Sequence, residues 1–577
     1  MSQARPEFPN PQFERRQWTN LNGEWEFEID TSKSGEGRKL FEAEHLSGRI
    51  TVPFCPESRL SGVGNTDFLE CVWYRRDIEI PEEYEDRCVI LHFGAVDHIA
   101  TVYVNGICVG SHTGGYVGFS FDITSYLKEG KNSLCVQAVD ETRNPLYGHG
   151  KQSREYASAG CYYTRVTGIW QTVWLEYVPK AHIQSVRLFP NVEDSSVSFQ
   201  TDLQGSAELR IDVCYQGKCV GQYYSNSNGG ILSGSIALSE LHLWEVGNGR
   251  LYDLILTYGE DRVYSYFGMR SLLLDGMKFR LNGKAVFQRL VLDQGFYPDG
   301  IYTASSDEAL ENDIKISMAA GFNGARLHQK VFEPRFLYHC DRLGYMVWGE
   351  YGNWGMDYSN LDALPRMLQE WMEVLERDIN HPSIVIWCPF NETWGFQGRK
   401  QDDLLLSTVY HATKHIDPTR PCIDASGGVH VVTDIFDVHD YTQDPAAYAD
   451  MWTDADVRIG FDKMKKYHSE KTISRRGSYL SGPFLISEYG GIRWDVSPTN
   501  QHSWGYGNTP KTVEEFIERY RGLTDILLDN EGMLGFCYTQ LYDVEQEVNG
   551  LYTYDRVPKF DMSIFHQINS RKAKIED

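Results

Sequence analysis

Beyond Arg270, segments typical of β-strands alternate with segments typical of α-helices as far as the C-terminus. Residues 305–321 predict a helix, because apolar side chains recur every four positions and Gly321 ends the pattern. The alternation continues with a strand at 322–328, a helix at 334–344, a strand at 345–350, a helix at 364–379 and a strand at 383–392. Regular alternation of this kind is typical of a (β/α)8 TIM barrel, which we predict for residues 272–577.

The residues before this point predict β-structure almost throughout. Strand-like segments follow one another closely, and Asn105-Gly106 predicts a hairpin turn between two of them. Short strands with regular turns favour a jelly-roll β-sandwich for residues 1–180. Residues 181–271 show the same texture over a shorter length, which suits a small immunoglobulin-like β-sandwich. The predicted fold class is therefore multidomain β plus α/β.

The chain is strongly acidic, with a net charge of −25 over 577 residues. Nucleic acids and anionic membranes attract clustered Lys and Arg, so we expect neither as a partner. The sequence contains no run of 18 apolar residues, and its first residues lack the apolar core of a signal peptide. With 12 scattered cysteines, we expect reduced thiols in a cytoplasmic protein rather than disulfides. The oligomeric state stays open, with a homo-oligomer among the options.

Two apolar runs each end at a glutamate, the first at Glu392 and the second at Glu488. Both runs contain β-branched residues and predict buried parallel strands. In a TIM barrel the C-terminal ends of the strands carry the chemistry, so both carboxylates should face one cavity. A pair of carboxylates is the minimal machinery for cleaving a glycosidic bond, which makes a small carbohydrate the expected substrate.

Six stretches of the sequence, taken together, resemble glycoside hydrolase family 2, which includes β-galactosidases, β-glucuronidases and β-mannosidases. Two of them look like the catalytic signatures of that family: NHPSIVIWCPFNE, which ends at Glu392, and SEYGG, which contains Glu488. The others look like its jelly-roll, linker and barrel-entry sequences, and they are WTNLNGEWEFEID, TGIWQTVWLE, YFGMRS and LNGKAVF. The resemblance covers nearly the whole length of the chain.

The resemblance implies a retaining glycosidase mechanism that needs no cofactor. In that mechanism Glu392 is the general acid/base, and Glu488 is the nucleophile that forms a covalent glycosyl-enzyme. Asn391 resembles the family residue that hydrogen-bonds the sugar 2-hydroxyl, and Arg326 resembles the barrel residue that keeps the nucleophile ionised. His328 lies two residues after this arginine, whereas the family often has a histidine three residues after it. A site role and a core role are therefore both open for His328.

The remaining candidates come from predicted strand ends and from aromatic residues. Asp293 ends the first barrel strand and, by the resemblance, is expected to hold hydroxyls of the terminal sugar. His439 and Tyr441 end another strand, and one of the two is expected to reach the nucleophile. Tyr489 follows the nucleophile, where steering and simple packing are equally good interpretations. Stacking walls for sugar rings are predicted at three tryptophans, with core packing as the alternative: Trp354, Trp394 and Trp504.

Two departures from the family pattern bear on the substrate. Its β-glucuronidases read the sugar carboxylate with an Asn-x-Lys motif, whereas here Asn549 is followed two positions later by Leu551. The metal ligands of its large β-galactosidases are incomplete after Glu350, so we expect no essential metal. We therefore predict a retaining exo-glycosidase, with a β-galactoside as the first expected substrate. The alternatives are a β-glucuronide, β-galacturonide, β-mannoside or arabinoside and, from another class, a non-catalytic carbohydrate-binding protein.

Overall fold

The computed structural model describes residues 3–393, 396–468, 479, 481–496 and 502–577. Its N-terminal part consists of antiparallel sheets. Their strands are β1 (Trp18–Asn20), β2 (Gly23–Ile29), β3 (Gly48–Val52), β4 (Cys71–Glu79), β5 (Cys88–Phe93), β6 (Val96–Asp97), β7 (Ile99–Val104), β8 (Ile107–Thr113), β9 (Phe119–Asp122), β10 (Lys131–Val139), β11 (Gly168–Ile169) and β12 (Val173–Val178). Short 3-10 turns lie at Leu40–Glu42, Glu82–Tyr84 and Thr124–Tyr126.

Two of these sheets form the predicted N-terminal sandwich. One runs in the order β3-β2-β4-β10-β7-β8 and the other in the order β1-β12-β5-β9. An apolar core that includes Trp25, Tyr74 and Val136 is buried between them. Along β5 buried and half-buried residues alternate, as expected when only one face of a strand meets the core. Asn105 and Gly106 make the predicted turn, with positive φ angles of 52° and 79°.

A second, smaller sandwich follows. Its strands are β13 (His182–Asn191), β14 (Ser196–Gln204), β15 (Ala207–Tyr215), β16 (Lys218–Ser227), β17 (Gly230–Ala237), β18 (Tyr252–Tyr258) and β19 (Asp261–Phe267). They pair as one sheet of order β13-β14-β17 and one of order β16-β15-β18-β19. Ile211, Leu256 and Val263 are fully buried in the core between these sheets.

The rest of the chain forms a barrel, entered through a small antiparallel sheet. That sheet consists of β20 (Leu272–Asp275), β21 (Lys278–Leu281) and β22 (Lys284–Ala285). The barrel strands are β23 (Gln288–Asp293), β24 (Gly324–Leu327), β25 (Met346–Glu350), β26 (Ile384–Cys388), β27 (Phe436–Asp440), β28 (Phe484–Gly490) and β29 (Gly535–Thr539). The helices are α1 (Asp307–Ala319), α2 (Pro334–Leu343), α3 (Leu364–Asp378), α4 (Asp403–Ile416), α5 (Pro445–Trp452), α6 (Val457–Tyr467), α7 (Val513–Leu528) and α8 (Met562–Asn569), with 3-10 turns at Leu361–Ala363 and Lys574–Glu576.

The barrel strands are parallel and follow the order β26-β25-β24-β23-β29-β28-β27. An irregular segment, residues 421–426, takes the position between β26 and β27. Isolated parallel bridges join it to the β26 side, from Trp387 to Cys422 and from Asn391 to Ser426. The predicted TIM barrel is therefore confirmed, with seven regular strands and this eighth, irregular one in the described part of the chain.

Local sequence signals set the ends of the first barrel helices. The Ser306 side chain accepts a hydrogen bond from the Ala309 backbone N–H and caps the start of α1. Helix α2 begins at Pro334, where a missing N–H leaves no intrahelical bond unmade. It ends before Gly344, whose φ of 71° lies in the left-handed region that favours glycine. Both helices were predicted, the first from its apolar spacing and Gly321, and the second from Pro334 and Gly344.

Residues 149–163 of the N-terminal sandwich lie against loops at the C-terminal mouth of the barrel. The backbone N–H of His149 donates to the Trp354 carbonyl at 2.7 Å, and that of Gly150 to the Gly352 carbonyl at 3.0 Å. The N-terminal sandwich can therefore contribute side chains to a site at the mouth. None of the helices in the described ranges is long and apolar enough to span a lipid bilayer.

Candidate active site

Glu392 lies just beyond β26 at the barrel mouth. The regular strand ends at Cys388, four residues before the glutamate that was predicted to end it. The Glu392 backbone has a positive φ of 53° and donates its N–H to the Ser426 carbonyl at 2.9 Å. Its side chain is 19% exposed, the most open position among the catalytic candidates described here. This turn aims the carboxyl group into the mouth, where a sugar can reach it.

Glu488 lies within β28 and is buried, with its side chain 5% exposed. One carboxylate oxygen lies 3.1 Å from Arg326 Nη1, and the other accepts a hydrogen bond from the Tyr441 hydroxyl. Burial, followed by the charge of Glu488, raises the pKa of Tyr441 well above its usual range, so this hydroxyl stays a neutral donor. A cation and a hydroxyl donor both favour the ionised carboxylate that a nucleophile needs.

His439 connects the two glutamates. Its Nδ1 lies 2.6 Å from Glu392 Oε1, and its Nε2 lies 3.4 Å from Glu488 Oε1. Coordinating atoms of all three side chains lie within 4.8 Å of one another. A separation of about 5–5.5 Å between carboxyl groups is typical of retaining glycosidases, whereas inverting enzymes need about 6.5–9.5 Å to admit a water. The geometry therefore suits double displacement.

The same three groups are the donor set in the described residues that could hold a metal ion. The two ring nitrogens of His439 face different carboxylates, however, so a single ion cannot use both of these contacts. Arg326 also places a positive charge 3.1 Å from Glu488. We interpret the cluster as two carboxylates on either side of one histidine rather than as a metal centre.

Arg326 is the central cation of the site and is fully buried. It contacts Glu350 at 2.6 Å, Glu488 at 3.1 Å and Asn391 Oδ1 at 2.8 Å. Burial alone would lower the pKa of Arg326, but the charges of Glu350 and Glu488 raise it well above its usual range. Asn391 Nδ2 is buried and lacks a hydrogen-bond partner among the described residues. An amide held by its oxygen with a free N–H₂ is suited to donate to a sugar hydroxyl.

His328 belongs to the same network, which favours the site interpretation of this residue over the core one. Its Nδ1 lies 3.0 Å from Glu350 Oε2, and its ring packs edge-on against Trp354 at 6.1 Å. Burial lowers the pKa of His328 well below its usual range, so the imidazole is neutral. Burial raises the pKa of Glu350, and the charge of Arg326 opposes this. Glu350 thus orients Arg326 and His328 at the floor of the site.

Aromatic rings line the mouth on two sides. The Trp354 indole N–H donates to the Asn391 carbonyl at 3.2 Å, which fixes this ring beside Glu392. On the other side Tyr506 stacks on Tyr441, with ring centres 3.4 Å apart and planes 4° apart. Trp504 packs edge-on against Tyr506 at 4.9 Å. Of the three predicted stacking tryptophans, Trp354 and Trp504 lie at the mouth, and Trp394 lies outside the described residues.

Two predicted site residues form their side-chain hydrogen bonds outside the cluster. Tyr489 is fully buried behind β28, where its hydroxyl is 2.8 Å from Thr524 Oγ1 in α7. Successive side chains of a strand point to opposite faces, so Tyr489 must turn outwards when Glu488 faces the cavity. Asp293 accepts hydrogen bonds from the Gly295 N–H and the Tyr542 hydroxyl, and burial raises its pKa to about 6. The hydrogen-bond partners of both side chains are thus residues outside the cluster, and the site roles predicted for them stay predictions.

Several residues that the fold brings to the mouth were not among the predicted site residues. Lys151 Nζ lies 5.6 Å from the Trp354 ring centre and 3.8 Å from Glu547 Oε2, with both side chains buried. Glu547 also accepts hydrogen bonds from the Tyr163 hydroxyl and from Asn549 Nδ2. Glu547 stands two positions before Asn549, in the same loop in which the Asn-x-Lys motif is missing. Lys151 and Tyr163 carried no local signal, because they come from a different domain.

An open cavity of about 330 Å³ lies on the outer side of Glu392. Both the N-terminal sandwich and the barrel contribute to it. The residues that line it are His149, Gly150, Gln152, Arg154, Tyr162, Trp354, Gly355, Met356, Tyr358, Glu392 and Phe396. Its volume is near the lower end for small-molecule pockets, which suits a single ring rather than a long chain of sugars.

Comparison with protein families gives two matches along the chain. The family described as glycosyl hydrolases family 2, sugar binding domain, matches residues 64–176. The family described as glycosyl hydrolases family 2, TIM barrel domain, matches residues 300–571. The second match includes both glutamates of the cluster and the arginine between them. The first covers the part of the sandwich that reaches the barrel mouth.

Individual proteins similar to this chain carry two names. A β-glucuronidase of Streptococcus agalactiae is 24% identical to this chain, and the aligned region covers 94% of each of the two proteins. A β-galactosidase of Thermoanaerobacterium thermosulfurigenes is also 24% identical, over 85% of this chain and 68% of its own. Among solved structures, a β-glucuronidase of Lactobacillus rhamnosus superposes with a TM-score of 0.77 at 19% identity, covering 99% of this chain and 100% of its own. At this identity the structural match supports the shared fold.

Proposed function

Since this chain belongs to glycoside hydrolase family 2, we propose that it hydrolyses a terminal β-linked sugar with retention of configuration. The observation that carries the proposal is the approach of the Glu392 and Glu488 carboxylates, whose nearest oxygens lie within 4.8 Å. This distance leaves a sugar carbon within reach of Glu488 and too little room for a water on the opposite face. The chain is thus a glycosidase, and its stereochemical course and its sugar are the proposal.

In the first step the ionised Glu488 attacks the anomeric carbon while Glu392 donates a proton to the leaving oxygen. Arg326 and Tyr441 stabilise the Glu488 carboxylate until its charge is lost to the new ester bond. The free N–H₂ of Asn391 is placed to donate to a sugar hydroxyl as positive charge develops on the ring. The first step therefore leaves a glycosyl ester on Glu488 and an ionised Glu392.

In the second step Glu392 acts as the base. It removes a proton from a water that attacks the anomeric carbon, and Glu488 departs as a carboxylate. His439 Nδ1, at 2.6 Å from Glu392 Oε1, holds this carboxyl group in position beside the sugar. Two inversions at the same carbon give net retention.

A neutral glycone, β-galactoside first, is the proposed substrate. Leu551, which stands where a lysine would read a sugar carboxylate, is fully buried and contributes no charge. Glu547, in the same loop, is itself a buried carboxylate. A uronic acid would bring a further carboxylate to a mouth that already holds Glu392 and Glu488, and like charges at short range are unfavourable in a low-dielectric site. The hydroxyl groups of a neutral sugar are uncharged and meet no such electrostatic repulsion.

A β-glucuronide is the second candidate, supported by the names of the relatives. The protein of similar length from Streptococcus agalactiae is a β-glucuronidase, as is the solved structure from Lactobacillus rhamnosus compared above. Two cations could serve a sugar carboxylate here without the lysine of the motif. Lys151 lies beside Trp354, and Arg493 donates to Ser503 Oγ at 2.6 Å and has no carboxylate partner among the described residues.

Hydrolysis of a panel of 4-nitrophenyl glycosides tests the proposal. The panel contains the β-galactoside, β-glucuronide, β-galacturonide, β-mannoside, β-glucoside and α-L-arabinosides. We expect one neutral glycone, the β-galactoside, to be cleaved far faster than the others, with the β-anomer of the sugar released first in an NMR time course. Release of the α-anomer would contradict retention, and a dominant rate on the β-glucuronide would replace the first candidate with the second.

Two variants assign the roles of the glutamates within the same assay. Glu488→Gln removes the nucleophile and should lower the rate on every active substrate by about 10⁴-fold or more. Glu392→Gln removes the proton donor, so its loss should be large for sugars with poor leaving groups and small for activated phenols. Equal losses for both leaving groups in Glu392→Gln would refute its assignment as the acid.

A further inference from the structure

The cavity beside Glu392 lies where the chemistry places the leaving group. A general acid must contact the glycosidic oxygen. The space on the open side of the acid is therefore where the leaving group binds. Glu392 lines this cavity, whereas Glu488 does not. The cavity is thus separate from the cluster of Arg326, Glu350 and Asn391 that surrounds the nucleophile.

The walls of the cavity combine a flat apolar surface with polar edges. The Tyr162 and Trp354 rings lie 5.3 Å apart at 42°, and Tyr358 and Phe396 complete the aromatic lining. Arg154 also lines the cavity. It donates to the Arg143 carbonyl at 2.9 Å and forms no ion pair within the described ranges, so its remaining N–H groups are available. Sugars and hydroxylated aromatic rings share this combination of a flat face and a polar rim.

The segment that carries Tyr162 is fixed against the barrel. Gln546 Nε2 donates to the carbonyl oxygens of Gly160 and Tyr162 at 2.8 and 2.9 Å. At the other end Gly355 lies so close to His149 of the N-terminal sandwich that a Cβ atom on it would be 2.7 Å from His149 Cδ2. A glycine at this position therefore allows the close contact between the two domains. The cavity is therefore built jointly by two domains, and its shape depends on their contact.

We propose that this cavity is the leaving-group subsite, that it holds one hydroxylated ring, and that Tyr162 of the N-terminal sandwich and Arg154 select that ring. The inference rests on the proposed glycosidase function and extends it to the aglycone. Tyr162 packs the face of the ring together with Trp354, and Arg154 hydrogen-bonds ring hydroxyls. A second sugar and a phenolic ring share these features, and the experiment separates them.

The test compares substrates that have one glycone and different leaving groups. A glycosyl fluoride has a leaving group too small to touch the cavity, a 4-nitrophenyl glycoside fills it with an aromatic ring, and a disaccharide fills it with a hydroxylated one. In Tyr162→Ala we expect kcat/KM to fall about tenfold on the last two and to stay unchanged on the fluoride. Tyr162→Phe, which keeps the ring, should retain the 4-nitrophenyl rate.

Arg154→Met separates the two sources of the ring. If the natural ring is a sugar, this variant should lose about tenfold on the disaccharide and little on the 4-nitrophenyl glycoside. Equal small effects on both would indicate an aromatic leaving group and overturn the role of Arg154. Tyr156→Ala is the matched control, because Tyr156 belongs to the same segment, is 71% exposed and does not line the cavity.

Two results would overturn the proposal. If Tyr162→Ala lowered the rate on the fluoride as much as on the disaccharide, Tyr162 would act on the glycone or on the fold rather than on the leaving group. If it changed no rate, the cavity would hold no leaving group. Failure of the proposed function looks different, because the wild-type protein would then hydrolyse no glycosyl fluoride at all.

Discussion

At the scale of single residues, His439 lies between the Glu392 and Glu488 carboxylates and contacts both. Its side chain is 2% exposed, and its ring nitrogens face Glu392 and Glu488. Arg326 Nη1 and Ser426 Oγ approach the same Nε2 at 3.4 and 3.3 Å. These neighbours leave the ring little freedom to rotate. Glu392 is therefore held by a group that also senses the charge on Glu488.

Replacement of His439 should show whether this residue positions Glu392 or assists the nucleophile Glu488. In His439→Asn the Glu392 carboxyl group loses its 2.6 Å contact. A hydrogen bond to a charged group contributes about 1.5–3 kcal/mol, so we expect kcat to fall roughly 10- to 100-fold on substrates with poor leaving groups. Activated aryl glycosides and glycosyl fluorides should lose much less, because they need little help from an acid. A uniform loss across leaving groups in steady-state assays would mean that His439 serves the nucleophile instead.

At the scale of secondary-structure elements, the sequence predicted regular segments well and their ends less well. The helices α1 and α2 follow from apolar spacing and capping residues, and β28 follows from its apolar run. The two-residue period of a strand would also have turned Tyr489 away from the cavity once Glu488 was placed in it. Glu392 lies beyond the end of β26 with a positive φ, and no periodicity reports such a turn.

The contacts between domains could not be read from local patterns. Tyr162 and Lys151 are far in sequence from the barrel residues that they meet, and nothing in their neighbourhood distinguishes them from other sandwich residues. The family resemblance supplied the roles predicted for the two glutamates and for Arg326, and the structure brings these three side chains together. It did not supply His439 as a bridge between the glutamates, because that arrangement depends on a side-chain contact.

The segment from Glu545 to Asn549 should depend on its buried ion pair with the N-terminal sandwich. Lys151 and Glu547 are 5% and 1% exposed and lie 3.8 Å apart. Removing one partner of a buried pair leaves an uncompensated charge, which typically costs about 3–5 kcal/mol. We expect Glu547→Gln to lower the free energy of unfolding by about this amount, and Lys151→Met/Glu547→Gln to recover most of it. Urea denaturation measures both, and a double variant no more stable than the single one would contradict the pairing.

At the scale of the whole molecule, buried carboxyl groups make stability depend on pH near neutrality. Glu57 is buried in the N-terminal sandwich, one of its oxygens has no partner among the described residues, and burial raises its pKa to about 8. Burial also raises the pKa values of Asp97 and Asp140, and it raises that of Asp543 in the barrel to about 7. In the unfolded chain all four ionise near pH 4. The folded state therefore holds protons that the unfolded state has already lost.

The sign of the pH effect follows from this difference. The stability that a raised carboxyl pKa contributes is complete below about pH 4 and is lost as the pH rises through the folded value, which is about 7 for Asp97 and Asp543 and about 8 for Glu57 and Asp140. His430 adds to the same trend, because Asp424 and Asp437 outweigh burial and raise its pKa to about 10. Lys330 opposes it above pH 7, since burial lowers its pKa to about 7. Of these six groups, five lose stabilisation as the pH rises above 7 and one gains it.

We therefore expect the melting temperature to fall as the pH is raised from 6.5 to 8. Replacing one of these carboxyl groups should make the fall smaller. Glu57→Gln keeps the shape of the protonated acid and cannot ionise, so its melting temperature should decline less steeply over the same interval. Each pH unit in which a group stays protonated only in the folded state corresponds to about 1.4 kcal/mol. Differential scanning calorimetry at three pH values, with the surface variant Glu83→Gln as a control, measures the slopes. Parallel slopes for wild type and Glu57→Gln would show that Glu57 ionises in the folded protein as it does in the unfolded chain.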